Sequence, residues 1–238
     1  MKNRFYGDKK DYFKYGLLDI LSSQYESIGI NWYLTDDHHG HQGHGRGIGY
    51  LDNDNWRYYN REIFDKLKNR VNNGERSVNF CRIDNMVNNF KYEAIDKLPD
   101  NAEQIEYQQL RVNWHSKAKN DLAKCDLVFF DPDIGVLVEN NLPHGVIRRS
   151  EYATIEEIND YAWCDWLIIQ FFRPMMNRYN QLFTNPITKS AQKSKKKIVA
   201  FIAGPVSFLY VTNSIDLILL QRVFEKWDTK LSTQILIA

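Results

Sequence analysis

The sequence predicts one α/β domain over residues 1–238, a parallel or mixed sheet with helices on both faces. Three observations carry this expectation. Short apolar runs alternate along the chain with amphipathic stretches at helical spacing. Two of the runs, Leu127–Phe130 and the first four residues of Trp166–Phe172, are apolar without a break, as strands buried on both faces are. No internal repeat and no Pro-, Gly- or Ser-rich linker divides the chain.

The bulk composition agrees. With 238 residues, 43% apolar and 14% aromatic, the chain has material for a large core and does not read as disordered. A formal net charge of +1 gives no global field for nucleic acid and leaves only local patches. Cys81, Cys125 and Cys164 are odd in number, lie beside apolar runs and form no C-x-x-C pair, so they read as core residues in a reducing compartment. The start has no apolar signal-peptide core and no run reaches membrane-spanning length, so the expectation is a soluble, cytoplasmic protein without membrane contact.

Taken in order, Asp11–Tyr25 reads as a helix after a Gly7-Asp8 turn, with Leu17, Leu18 and Leu21 inward. Asp11, Lys14 and Tyr15 share one of its faces, which a solvated charged surface would also explain. Ile28–Thr35 is the first strand. It opens into Asp36–Gly49, a loop rich in glycine and in histidine (His38, His39, His41, His44) with no standard metal spacing and no G-x-G-x-x-G. Arg61–Asn72 is an amphipathic helix closed by Asn73-Gly74. Ser77–Ile83 reads as the second strand, which makes Asp84 either a ribose acceptor at its end or the cap of a following helix. Glu103–Lys124 is helical.

The central strand then runs into Asp131-Pro132-Asp133, where Pro132 ends the ladder and Gly135 permits a tight path. Ligands of open α/β sheets sit at the carboxyl ends of the strands. Two carboxylates delivered there are costly to hold unless something pairs or uses them, though both also suit a turn. The loop Gly135–Ser150 follows, with Arg148 and Arg149. A capped helix starts at Thr154, a strand runs Trp166–Phe172, and a helix lies around Met175–Phe183. Thr188–Lys197 reads as a solvated loop or small basic patch. Strands at Ile198–Ala203, Ser207–Thr212 and Thr233–Ile237 and a helix at Ile215–Trp227 complete the chain. Asp36, Asp84, Asp131 and Gln170 are expected on one rim.

Gly7-Asp8-Lys9-Lys10-Asp11-Tyr12-Phe13-Lys14-Tyr15 resembles the G-N-x-x-D-x-x-K-H start of a bacterial ribosomal RNA adenine-N6 methyltransferase family. In that family a first strand leads into a cofactor loop, here Tyr33–Gly40; an acid follows the second strand, here Asp84; and D-P-P-Y follows the fourth, here Asp131-Pro132-Asp133-Ile134. The similarity covers residues 5–135. The chain also resembles a group of uncharacterised bacterial and phage proteins with a DPD-G centre. The resemblance implies a Rossmann-like class I fold, S-adenosylmethionine as cofactor and a nucleic-acid (RNA or DNA) substrate. It assigns Asp131, Asp133 and Lys14 to catalysis and Tyr15, Thr35, Asp36 and Asp84 to the cofactor. Asp133 and Ile134 stand where the family has proline and tyrosine, and Ile134 offers no stacking platform.

Three functions are open at this point. The first is methyl transfer to a nucleic-acid base. The second is a metal-dependent phosphodiesterase or nuclease with Asp131 and Asp133 as oxygen ligands. The third is a non-catalytic module that binds a nucleotide or a partner protein. The first two place Asp131 at the centre, and the resemblance places Lys14 beside it, with side chains expected within about 8 Å.

Overall fold

The uninterrupted apolar runs lie in the middle of a seven-stranded mixed sheet. The computed structural model describes residues 1–37, 47–98, 104–137, 150–171, 177–203, 206–226 and 233–237. The strands are β1 (Ile28–Asn31), β2 (Phe90–Ala94), β3 (Leu127–Phe130), β4 (Gly135–Val136), β5 (Tyr152–Ala153), β6 (Asp165–Phe171), β7 (Lys197–Ala203), β8 (Val206–Thr212) and β9 (Thr233–Ile237). The helices are α1 (Lys9–Leu21), α2 (Arg61–Asn72), α3 (Phe80–Ile83), α4 (Gln104–Asp121), α5 (Ile155–Asn159), α6 (Arg178–Thr184), α7 (Pro186–Lys193) and α8 (Leu217–Lys226).

The sheet order is β2-β1-β3-β6-β8-β7-β9. The first four are mutually parallel, and β8 is inserted antiparallel between β6 and β7. β4 and β5 form a separate two-stranded ribbon. Strand order reverses direction between β1 and β3: β2 lies on one side of this pair and β6 on the other.

Both faces of the sheet are covered, as the unbroken apolar strands require. Leu127 and Phe129 of β3 face a core shared with α1, α2 and α8, whereas Val128 and Phe130 face one shared with α4, α5 and α7. All four are fully buried. The three cysteines are free and buried. Among the described residues no helix is long and apolar enough to cross a membrane.

Two elements differ from the sequence expectation. Ser77–Ile83 is not a strand: its second half is α3, and burial recurs at Val78 and Cys81, three apart, while Ile83 is 65% exposed. The second strand is β2, a short edge strand in which Lys91 and Glu93 alternate with Phe90, Tyr92 and Ala94. Thr188–Lys197 is not a loop throughout, because α7 reaches Lys193. Asn185 caps α7 by accepting from Ile187 N, Pro186 opens it, and Ile187, Thr188, Ser190 and Ala191 are buried at helical spacing. The histidines from His38 to His44, Arg148, Arg149 and the end of the expected sixth strand at Phe172 lie outside the described residues.

Candidate functional site

The site is built from the amino end of α1 laid over the carboxyl end of β3. Gly7 adopts φ +82°, and a Cβ there would lie 2.5 Å from Val71 Cγ2, so only glycine fits the turn. Asp8 is the N-cap of α1 and accepts from the backbone N–H groups of Lys10 (2.8 Å) and Asp11 (3.1 Å). Asp11 reaches back and accepts from Gly7 N at 2.9 Å. One turn further, Lys14 points inward.

Lys14 Nζ lies 2.6 Å from Asp11 Oδ1 and 2.8 Å from Asp131 Oδ2, and all three side chains are at most 4% exposed. The rings of Tyr15 and Trp32 lie 4.9 and 5.1 Å from the ammonium. Burial pulls the Lys14 pKa down, but Asp11 and Asp131 outweigh it and hold the group above its usual value. Burial pushes Asp131 and Asp11 up, and Lys14 offsets this only in part. Asp8, also buried, is raised for the same reason. Beside this cluster the buried hydroxyls of Tyr6 and Tyr15 have no hydrogen-bond partner among the described residues.

Asp133 belongs to a different set of contacts. It pairs with the amino group of Met1 (2.9 Å) and with Lys2 Nζ (2.8 Å), and Thr35 Oγ1 donates to it at 3.3 Å. Burial would raise it, yet these two cations hold it below its usual value. Lys2 also binds Glu151 at 2.5 Å. Gln170, at the end of β6, accepts from Val136 N at 2.9 Å and so clamps the turn after β3. Gly135 runs beneath it with φ +116°, where a Cβ would sit 2.7 Å from Gln170 Oε1.

The structure thus brings Lys14 and Asp131 into direct contact and places Thr35 with Asp133. Tyr15 is fully buried, packing against Tyr6 with ring centroids 6.3 Å apart. Asp36 pairs with Lys97 at the rim. The assignment of Asp84 to the end of a second strand is corrected: it ends α3 and is gripped by Arg70, with contacts of 2.6 and 2.9 Å. The acid just beyond β2 is Asp96, about half exposed and paired with Lys117.

Sequence reasoning left a solvated surface open for Asp11 and did not single out Asp8 as a buried carboxylate. Their signal was the G-D-x-x-D spacing, which is that of a capping pair. It also missed a second polar cluster on the opposite face. There Glu157 accepts two bonds from Arg111 (2.6 and 2.9 Å) and one from Tyr33 Oη (3.1 Å). That cluster lines a groove of about 640 Å³ between α4 and α5. Tyr33 holds a left-handed φ of 45° just past β1, a costly conformation for a residue with a side chain. Among the described residues no group of three His, Cys, Asp or Glu side chains is placed to hold a metal. No family model, no curated protein and no solved structure matches the chain.

Proposed function

We propose that the protein is an S-adenosylmethionine-dependent methyltransferase of Rossmann-like class I type acting on a nucleic-acid base. The observation that carries this reading is the buried Lys14–Asp131 pair at the point where strand order reverses, the crevice in which open α/β sheets hold ligands. The parallel strands on either side of that point, with antiparallel β8 inserted between β6 and β7, support the fold assignment, and antiparallel β9 adds a further edge strand.

The cofactor fits these residues in part. Partly exposed carboxylates suited to ribose hydroxyls stand beyond β1 and its edge neighbour β2, Asp36 after the first and Asp96 after the second. Asp96 takes the place expected of Asp84, and Tyr15, fully buried, lies too deep to touch an adenosine. The cofactor would supply the electrophilic methyl group. Asp131 accepts an N–H from the target amino group, orients it, and stabilises the positive charge that grows on nitrogen. Lys14 fixes the carboxylate and Asp11 fixes Lys14.

The amino end of α1 carries groups that suit a base with its phosphate. Lys10 sits i, i+4 from Lys14 on α1, and its ammonium is 4.5 Å from the Phe171 ring at the end of β6. Lys9 lies 4.1 Å from the Trp56 ring. Such cation–aromatic platforms hold stacked bases and their backbone together. The metal-dependent reading is less favoured, because Asp131 and Asp133 each spend their charge on lysine rather than facing a shared centre.

The test is calorimetry with S-adenosylmethionine and its demethylated product, combined with methyl transfer to total RNA and denatured DNA. We expect micromolar binding, and we expect Asp131→Asn to keep cofactor affinity within about threefold while transfer falls about 10²-fold or more. No heat from either ligand at high micromolar concentration would overturn the assignment.

A further inference from the structure

Five of the 31 basic residues and none of the 30 acidic ones lie in residues 186–197, so the rest of the chain is net acidic. This is the most segregated charge in the molecule, and α7 presents it in order. Lys189 and Lys193, four apart, share the exposed side of α7, while Ile187, Thr188, Ser190 and Ala191 face the core. Lys195 turns the chain with φ 56°, and Lys197 opens β7; both are exposed. Lys196 alone is turned inward, with its ammonium on the Cys164 carbonyl and 3.7 Å from Asp165.

Lys66 and Lys117 find carboxylates, whereas Lys189, Lys193, Lys195 and Lys197, like Lys10, Lys91 and Lys124 but close together in the chain, have none among the described residues. The Lys196 anchor also sets this turn beside the Tyr161–Asp165 turn. That turn exposes Trp163 (46%), with Lys119 Nζ 6.0 Å from its ring.

We infer that Lys189, Lys193, Lys195 and Lys197, together with Trp163, form a docking strip for single-stranded nucleic acid. A row of unpaired cations binds the phosphate backbone through release of its counterions. An adjacent exposed indole adds a stacking platform that tolerates any base. A membrane surface fits less well, because the apolar side of α7 is spent on the core and leaves nothing to insert between lipids.

The strip lies where β6 and β7 begin. Asp131 follows Phe130, which pairs with Ile168, so it lies toward the opposite end of the parallel strands, about 13 Å along them from Asp165 by the rise per residue and offset sideways by the strands between β3 and β7. It therefore rests on its own charges and does not require Asp131 to be catalytic.

The experiment is fluorescence anisotropy with a labelled 20-nucleotide single strand, as RNA and as DNA, from 50 to 300 mM salt. Wild type is compared with K189Q/K193Q/K195Q and with W163A, and all are checked by thermal melting. We expect the triple variant to lose at least tenfold in affinity at 50 mM salt. The slope of log K against log salt should become shallower by about 2, at about 0.7 per phosphate contact. W163A should lose about fivefold with its slope unchanged. If the triple variant melts differently from wild type, K189E alone takes its place, since it lies on an exposed helix face. No binding by wild type at 50 mM salt, or an unchanged slope in the triple variant, overturns the inference. So does tighter binding to phosphatidylserine vesicles that is lost in the same variant.

Discussion

Lys14→Met tests whether one lysine holds the buried cluster together. Lys14 Nζ contacts Asp11 at 2.6 Å and Asp131 at 2.8 Å, with all three side chains at most 4% exposed. At an effective dielectric near 20 each contact is worth on the order of 6 kcal/mol of gross attraction, which offsets the cost of burying the charges. Methionine keeps the volume and removes the cation, leaving two carboxylates uncompensated. The expected loss is about 3–5 kcal/mol, or a fall in Tm of roughly 6–20 °C for a domain of this size. Asp11 and Asp131 already have raised folded-state pKa values, and losing Lys14 raises them further. A raised folded value means stability that is present at low pH and lost as pH climbs through it. The penalty of K14M should therefore be small near pH 4 and full at pH 8. Asp131→Asn leaves Lys14 paired with Asp11 and should cost far less, about 1 kcal/mol. The double variant K14M/D131N leaves one buried carboxylate instead of two and should be more stable than K14M. Urea unfolding followed by tryptophan fluorescence at pH 4.5 and 8 measures all three. A K14M loss under about 1 kcal/mol at pH 8, or a loss independent of pH, would refute the reasoning.

Gly7→Ala should cost about 2–4 kcal/mol, from a left-handed backbone and a 2.5 Å approach to Val71. In a Val71→Ala background the clash disappears and only about 1–2 kcal/mol should remain; an equal penalty in both backgrounds argues against the clash. Glu157→Gln should destabilise by about 3 kcal/mol at pH 7, since Arg111 stays buried without its anion. Burial pushes Glu157 up, but Arg111 outweighs it and holds the carboxyl below its ordinary 4.5. That contribution is present above pH 4.5 and lost as pH falls through the lowered value, so the gap between variant and wild type should close below pH 4.5. A gap constant from pH 3 to 7 in chemical denaturation contradicts this.

The parts of the fold legible in the sequence were those in which periodicity and burial agree. Leu127–Phe130 read as a strand buried on both faces because its residues alternate between two cores, each of them apolar. Arg61–Asn72 and Thr154–Glu157 were legible from spacing and caps, and the Thr154–Glu157 capping box is formed in full. β2 was missed because its alternation, Lys91 and Glu93 between Phe90, Tyr92 and Ala94, runs for one short edge strand that needs only one partner. Val78 and Cys81 misled because two apolar residues three apart satisfy a short strand as readily as one helical turn. At the site, the contact of Lys14 with Asp131, 117 residues apart, came from the amino-terminal resemblance. No periodicity reports a long-range ion pair. The burial of Asp8 and Asp11 was hidden because capping and solvation favour the same residue types.

The two carboxylates of Asp131-Pro132-Asp133 have divided contacts, and the division separates the proposed reacting group from a structural one. Asp131 is taken by α1 through Lys14, and Asp133 by the amino-terminal segment through Lys2, with Thr35 donating from beyond β1. Pro132 lets the two diverge, since it ends the ladder at β3. Asp133 is held below its usual pKa, so its charge is a source of native stability at neutral pH, whereas Asp131 is held above its usual value and its charge is a cost. A costly charge kept in a ligand crevice is the one expected to act on a substrate. Asp133→Asn should therefore lower stability by about 2–4 kcal/mol at pH 7, because Lys2, 3% exposed at its side chain, keeps only Glu151. It should leave the proposed methyl transfer by the folded protein within about threefold. Asp131→Asn should do the reverse. Denaturation and methyl transfer measured on both variants decide it: turnover abolished by D133N at full folding would make the pair, and not Asp131 alone, the reacting group.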